Sequence, residues 1–193
     1  LWLIGGYLPE LVSDVWSSPD GVTWRHEGQL PAPEGVNIPL TWTHDGRMWV
    51  ASNSGRLFAS GDGRCWELVN PRPPWAGRYA AGGALLNGRM WVLGGKDASG
   101  LHHDVWSSHD GIEWVLETAA APWSPRQLFS MVVAHAGKLW VLGGGVTVYH
   151  PFRAYTDVWC SEDGRRWTEV CDQAPWPARI WSSAASYRDR LWV

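Results

Sequence analysis

Tryptophan returns at fixed places along this chain, and that recurrence constrains the fold more than any other feature of the sequence. Among 193 residues there are 17 Trp, against 3 Phe and 5 Tyr. The first recurring place is a Trp that follows Leu or Met and opens an apolar run, at Trp2, Trp49, Trp91, Trp140 and Trp192. The period is about 48 residues, within the range typical of repeat architectures. The sequence therefore predicts a series of similar structural units.

Two further markers accompany the repeat. An Asp-Val-Trp segment, followed by Asp-Gly and then another Trp, begins at Asp14, Asp104 and Asp157. A Pro-Trp-x-x-Arg segment supplies Arg78, Arg126 and Arg179. Because a residue type that recurs at one place in a repeat usually serves the repeat, we predict that the tryptophans pack between neighbouring units.

Each repeat reads as four short β-strands. A small, apolar first strand, as in 79–86, is joined to the Trp-Val-Leu-Gly-Gly strand by a turn such as Asn87-Gly88. Asn-Gly and Asp-Gly are strong hairpin signals because both residues tolerate a positive φ. The Asp-Val-Trp segment is the third strand. A second Asp-Gly pair, as at Asp163-Gly164, predicts a two-residue turn into a fourth strand that starts at the last Trp.

One such sheet cannot cover both of its apolar faces, so the sheets must stack around an axis, which is the β-propeller arrangement. The Gly-Gly that ends the second strand, the aromatic residue of the third and the Trp that opens the fourth resemble the kelch motif. The resemblance implies an all-β, kelch-type β-propeller with about four four-stranded antiparallel blades in a single region, 1–193. Its divisions are a partial blade at 1–30, blades at 36–75, 76–123 and 124–176, and the start of a next blade at 177–193.

The ring itself can be completed in two ways. Both chain ends fall inside a second strand, and kelch rings resemble wheels of about six or seven blades. We therefore predict an arc of a larger ring. The alternative is a closed four-blade ring, in which the last first-strand segment completes the blade that holds Trp2.

The Ser-x-Asp-Gly-x-x-Trp segments also resemble the sialidase Asp-box, with a turn that is one residue shorter. In both, the Asp is expected to accept hydrogen bonds from turn amides while the Trp packs beneath. We interpret this Asp-box-like turn as a folding device without catalytic meaning.

Strand order places the longest segments at one end of every sheet. The hairpins between second and third strands and the connectors between repeats lie at this end, which we call the connector face. In kelch propellers the residue that begins the first strand and the residue after Gly-Gly face a central pocket, and in one kelch domain arginines there bind acidic side chains. The candidate ligand-binding residues are Arg78, Arg126, Arg179, Tyr7 and Lys96 from this resemblance, and His102, Tyr149 and His150 from the long loops.

These residues predict a non-catalytic binding module whose partner is a protein, an acidic peptide or an acidic carbohydrate, because the guanidinium fork matches a carboxylate. The alternative role for the three arginines is structural. In that case their guanidinium groups are buried against backbone oxygens of the next blade.

An enzyme is the second function class. The sialic-acid epimerases of the kelch class are the nearer resemblance among carbohydrate-active enzymes. Galactose oxidase, whose copper is held by Tyr and His, is the more distant one, because no Tyr–Cys arrangement accompanies Tyr149-His150 or His102-His103. We therefore predict no cofactor, no metal and no catalytic residue.

Charge and hydropathy exclude other partners. The formal net charge is −3 and no Lys/Arg cluster occurs, which argues against nucleic acid. No apolar stretch approaches the roughly 18 residues that a membrane-spanning helix needs. Trp-rich blades of this kind resemble bacterial secreted or cell-envelope proteins, which favours such a location.

Overall fold

The computed structural model describes residues 1–148 and 150–193, and about half of them lie in 17 β-strands. All pairings between these strands are antiparallel, and the described ranges contain no helix. The predicted all-β class is therefore confirmed. The chain forms two compact units, Leu1–Gly77 and Arg78–Val193.

The first unit contains two sheets. Sheet 1 has three strands, β1 (Trp2–Leu8), β2 (Glu10–Ser17) and β3 (Arg25–Gln29). Sheet 2 has four strands, β4 (Thr41–His44), β5 (Arg47–Ala51), β6 (Leu57–Ser60) and β7 (Glu67–Asn70). In both sheets each strand pairs with the next along the chain.

The second unit continues the pattern with three sheets. Sheet 3 has four strands, β8 (Gly82–Leu86), β9 (Arg89–Asp97), β10 (Gly100–Ser108) and β11 (Val115–Thr118). Sheet 4 has four strands, β12 (Val132–His135), β13 (Lys138–Val146), β14 (Arg153–Ser161) and β15 (Thr168–Cys171). Sheet 5 has two strands, β16 (Ala185–Tyr187) and β17 (Arg190–Trp192).

The turns between first and second strands form as predicted. Asn87 and Gly88 join β8 to β9 with φ angles of 52° and 66°. A positive φ at both positions matches the right-handed twist of the two strands that the turn connects. The same pair of positive φ angles occurs at Asp45-Gly46, Ala136-Gly137 and Arg188-Asp189.

The loops between third and fourth strands are longer than the predicted two-residue turn. In sheet 4, β14 ends at Ser161 and β15 begins at Thr168, one residue after Trp167. The extra length arises because the Asp side chain, and not the backbone of a tight turn, organises the loop.

Hydrogen bonds within this loop confirm the expected role of the Asp. Asp163 Oδ1 accepts the backbone N–H groups of Arg165 and Arg166 at 2.9 and 2.8 Å. Ser161 Oγ accepts the N–H of Gly164 at 2.9 Å. The equivalent aspartates, Asp20, Asp62 and Asp110, accept the same pair of amides.

Trp2 and Trp91 of the second strands each pack against the Asp-Gly loop of the following sheet, in line with the predicted packing between neighbouring units. A Cβ added to Gly164 would lie 2.2 Å from Cζ3 of Trp91, and one added to Gly63 would lie 2.2 Å from Cζ3 of Trp2. The glycine therefore lets an indole ring lie directly on the loop backbone. Between sheets 3 and 4 this contact closes a buried core that includes Leu93, Val105, Trp123, Leu139 and Val141.

Gly164→Ala is expected to destabilise the protein more than Gly137→Ala. Both glycines have a φ near +70°, 70° and 74°, so both variants carry a backbone cost of about 1–2 kcal/mol. Only Gly164→Ala also drives a methyl group into Trp91, which adds about 1–3 kcal/mol of overpacking. Urea unfolding of the two variants measures the difference, and equal losses would show that the Trp91 contact is unimportant.

Candidate functional site

Arg126 lies in a buried ion pair with the Asp of the Asp-Val-Trp segment in its own sheet. Its two terminal nitrogens donate to Asp157 Oδ1 and Oδ2 at 2.5 and 2.8 Å, and one of them also donates to the backbone oxygen of Gly143 at 3.1 Å. The Arg126 side chain is 2 % exposed. Its guanidinium group is therefore out of a ligand's reach.

Arg78 makes the same set of contacts one repeat earlier. It donates to both carboxylate oxygens of Asp104 at 2.5 and 2.6 Å and to the backbone oxygen of Gly94 at 3.1 Å. Burial raises the pKa of Asp104, but the bonds and charge of Arg78 outweigh burial and hold that pKa below its ordinary value. The carboxylate is therefore held in its charged form.

The expectation that Arg78 and Arg126 line an accessible groove is corrected by this geometry. Both arginines hold the connector that precedes a first strand against the third strand of the same sheet. The structural alternative is confirmed in that both guanidinium groups are buried and bonded to backbone oxygens. It is wrong about the next blade, because those oxygens and the carboxylates belong to each arginine's own sheet. Asp104 and Asp157 were recognised as repeat markers, but their pairing with the arginines was not predicted.

Sheet 2 has a corresponding ion pair, but here the carboxylate lies in the connector and the arginine lies at the third strand. Arg56, which stands four residues before Ser60 as Asp104 stands before Ser108, pairs with Glu34 in the preceding connector. Burial by itself raises the pKa of Glu34. Hydrogen bonds from Arg56, Ser52 and Ser54 outweigh burial, so the pKa falls from the ordinary 4.5 to about 2. All three four-stranded sheets therefore have an ion pair from the connector to the third strand or, at Arg56, to the residue directly before it.

The remaining predicted site residues occupy varied positions. Arg179 is exposed, and its Nε donates to the backbone oxygen of Pro177 at 3.1 Å. Tyr7 is 71 % exposed in β1, in the first unit. Tyr149 lies outside the described residues. His150 stacks on Phe152 with a centroid separation of 4.3 Å.

Four of the predicted residues come together at the connector face of sheets 3 and 4. Lys96 pairs through its backbone with Tyr79, next to Arg78, and the backbone N–H of Arg126 donates to the oxygen of His102 at 3.1 Å. The imidazole of His102 lies 2.9 Å from Asp97. That ring is therefore already held by a carboxylate of the same hairpin.

A cavity of about 450 Å³ opens at this connector face. It is lined by Leu101 of sheet 3, by the connector residues Ser124 and Pro125, and by Val146, Pro151, Arg153 and Tyr155 of sheet 4. The Tyr155 ring lies 3.8 Å from the Arg126 guanidinium carbon, so the buried ion pair supports one wall.

Arg153 is the cation of this cavity. It is exposed, and no carboxylate within residues 1–148 and 150–193 forms an ion pair with it. Arg153 and Tyr155 were not among the predicted site residues, because the arginines were sought at repeated positions. The usable signal was an Arg and a Tyr in the hairpin between second and third strands, which is longer in this repeat than in the others.

The chemistry of the cavity suits recognition of an anion. Its described lining residues supply one guanidinium, one phenol and one hydroxyl among apolar walls, and none of them is a carboxylate or an imidazole. In the described part of the chain, no three His, Cys, Asp or Glu residues are grouped to hold a metal ion. Nor does any helix in the described ranges have the length and apolar character needed to cross a membrane.

The described geometry defines an all-β protein of repeated, blade-like four-stranded sheets. No family profile matches the chain, and no curated protein matches it. The solved structure of YjhT is similar in fold, with a TM-score of 0.77 over 98 % of this chain and 72 % of that chain. The two sequences are 13 % identical, so the similarity concerns the fold alone.

Arg126→Ala is expected to lower the free energy of unfolding by about 3–5 kcal/mol, because it leaves Asp157 partly buried without its cation. Arg165→Ala is the matched control. Arg165 pairs with Glu117 but its side chain is 62 % exposed, so its loss should cost no more than about 1 kcal/mol. Chemical denaturation of both variants tests this, and a loss below 1 kcal/mol for Arg126→Ala would contradict it.

The Glu34–Arg56 pair is expected to make stability depend on pH in a defined window. Glu34 has a lowered pKa when folded, so the unfolded chain binds its proton first as the pH falls. Its contribution is complete above the ordinary pKa of 4.5 and is lost as the pH falls toward about 2. The stability difference between the wild-type chain and Glu34→Gln should therefore shrink from pH 6 to pH 2.5. A difference that stays constant would show that Glu34 is not stabilised as a carboxylate.

Proposed function

We propose that this chain is a kelch-type β-propeller region, an arc of a larger ring, that acts as a non-catalytic binding module for a small carboxylate-bearing ligand. The observation that carries the proposal is the cavity of about 450 Å³ at the connector face, lined by Arg153, a cation that pairs with no carboxylate of the described residues. The proposed blades 36–75, 76–123 and 124–176 each contain the four strands of one sheet, which supports the kelch reading.

Arg153 provides the reason to expect a carboxylate. An arginine fork binds a carboxylate through two parallel hydrogen bonds, and such charge-assisted bonds are about twice as strong as neutral ones. Because no described acidic group competes for Arg153, a ligand does not have to displace an existing ion pair.

The shape and lining favour an acidic carbohydrate over a protein surface. A volume of about 450 Å³ lies within the range of roughly 300–1,000 Å³ typical of small-molecule pockets. Tyr155 and Leu101 offer surfaces for the apolar face of a sugar ring, and Ser124 and the Tyr155 hydroxyl can bond to sugar hydroxyls. A protein partner would need a contact area of roughly 800 Å² on this side.

The lining also supports binding without catalysis. General acid–base chemistry needs a group, most often His, Glu or Asp, within hydrogen-bond reach of the reacting proton. The lining residues that the structure describes offer neither a carboxylate nor an imidazole. The imidazole of His102, in the hairpin that contributes Leu101, is already bonded to Asp97.

Binding of galacturonate, compared with galactose, is expected to depend on Arg153. The two sugars differ in the carboxylate, so titration calorimetry with both isolates its contribution. Arg153→Ala should weaken galacturonate binding by roughly 10- to 100-fold, the range expected for one charged hydrogen-bonded contact, and leave galactose little affected. Added salt should weaken galacturonate binding, because exposed charges are screened beyond about 8 Å at physiological ionic strength.

Arg166→Ala is the matched control. It removes the same charge from the loop after β14, at the opposite end of that strand from Arg153, and should leave both titrations unchanged. N-acetylneuraminate and a short acidic peptide extend the panel and separate an acidic sugar from an acidic peptide. Equal affinity for galactose and galacturonate would refute the carboxylate proposal. Accelerated conversion of a sugar, followed by NMR, would replace the binding module with a carbohydrate-active enzyme.

A further inference from the structure

A row of three side chains continues the connector-face cavity across sheet 3. Leu101 of β10 lies directly opposite Lys96 of β9, and Lys96 lies directly opposite Tyr79 in the connector before β8. Residues that lie opposite each other in antiparallel pairs place their side chains on the same face of the sheet. Leu101 lines the cavity, so Lys96 and Tyr79 stand on the face of sheet 3 that borders it. The row spans about 10 Å, because neighbouring backbone segments lie roughly 4.8 Å apart.

Lys96 supplies a second cation beside the cavity. No carboxylate of residues 1–148 and 150–193 forms an ion pair with its ammonium group. The adjacent Asp97 points to the opposite face, since side chains alternate along a strand, and it is bonded there to His102. The charge of Lys96 is therefore available to an anion that lies along the row.

Tyr79 gives the end of the row an aromatic surface. It is 43 % exposed, whereas Phe129, in the connector before β12, is 6 % exposed. The two rings meet edge to face, with their centroids 6.3 Å apart and their planes at 87°. The buried Phe129 thus holds the Tyr79 ring, and the exposed part of that ring can pack against the apolar face of a sugar.

We propose that the connector-face site binds an acidic oligosaccharide of at least two uronate units, which lies along this row. The inference rests on the proposed function, because it takes Arg153 as the anchor of the first carboxylate. The next unit passes over Leu101 and brings its own carboxylate to Lys96. Tyr79 then packs against the ring of that unit or of the one that follows. A single acidic sugar fills only part of this site.

The placement of the two cations favours a chain of sugars over a compact dianion. Arg153 approaches the cavity from sheet 4 and Lys96 belongs to sheet 3, with the apolar Leu101 next to it. A polyuronate has the same alternation of carboxylates and apolar ring faces. Once the first carboxylate is bound, the second contact is intramolecular, so it adds affinity with little further loss of translational freedom.

Titration calorimetry of the full chain with galacturonate, digalacturonate and trigalacturonate tests the proposal. Digalacturonate is expected to bind roughly 10- to 100-fold more tightly than galacturonate, the gain expected from one more charged hydrogen-bonded contact. Lys96→Gln should abolish this gain and leave galacturonate binding unchanged, because the single sugar does not reach Lys96. Tyr79→Ala should weaken binding of the two longer sugars only.

Lys138→Gln is the matched control. Lys138 pairs with Glu162 and lies at the opposite end of β13 from the cavity residue Val146, so its loss should leave all three titrations unchanged. Thermal melting checks that each variant is folded. If Tyr79→Ala lowers the melting midpoint, Lys96→Gln decides the outcome, because it removes a charge and keeps most of the side chain.

Equal affinity for galacturonate and digalacturonate overturns the inference, and so does a gain in affinity that survives Lys96→Gln. Both results leave the binding of one carboxylate at Arg153 intact. Digalacturonate binding that depends on Lys96 but is unchanged by Arg153→Ala would instead contradict the proposed function alone. No binding of any of the three sugars up to about 10 mM, a free energy of association weaker than about 3 kcal/mol, rejects both. Tighter binding of a peptide with two glutamates than of digalacturonate would overturn the assignment to a carbohydrate.

Discussion

The buried ion pair between an arginine and a carboxylate supports both the sheets and the candidate site. In sheet 4, Arg126 joins the connector to the third strand through its ion pair with Asp157. The ring of Tyr155 lies against the Arg126 guanidinium group. Burying two charges is favourable only when their geometry is good and their other bonds are satisfied. The carbonyl of Gly143 and the oxygens of Ser124 complete those bonds. The cavity wall at Tyr155 is therefore as rigid as the ion pair beneath it.

Much of the fold could be predicted from the sequence because its signals are local. Asn87-Gly88 specifies a turn through the φ angles it tolerates, and the spacing of Trp91 and Trp140 marks equivalent strands. The loop at Asp163 was misjudged because a side-chain acceptor replaced the backbone bond of a tight turn. The Asp-box-like pattern correctly predicted that Asp163 accepts turn amides, but it did not give the length of the loop that this acceptor organises.

The candidate site was harder to predict because its contacts are not local. Arg126 and Asp157 are 31 residues apart, and nothing in either segment alone tells whether the arginine faces solvent or a carboxylate. In sheet 2 the Glu34–Arg56 pair could not be recognised by comparing repeats, because Glu34 does not stand at the position that Arg126 occupies in its repeat. Arg153 belongs to no marker at all. Residues that repeat serve the scaffold here, and the residue proposed for recognition is one that does not repeat.

The contact between the Trp91 ring and the backbone at Gly164 determines how local unfolding spreads through the second unit. The same loop is held by Glu117, which bonds Arg165, and by Thr118, whose hydroxyl donates to the Gly164 oxygen. Sheet 3 thus contributes three separate contacts to a loop of sheet 4. In repeat architectures with contacts of this kind, stability behaves as a sum of unit terms and nearest-neighbour terms. Local unfolding of sheet 3 would therefore release this loop of sheet 4 before the rest of sheet 4. The order of the loop thus reports whether the preceding sheet is folded.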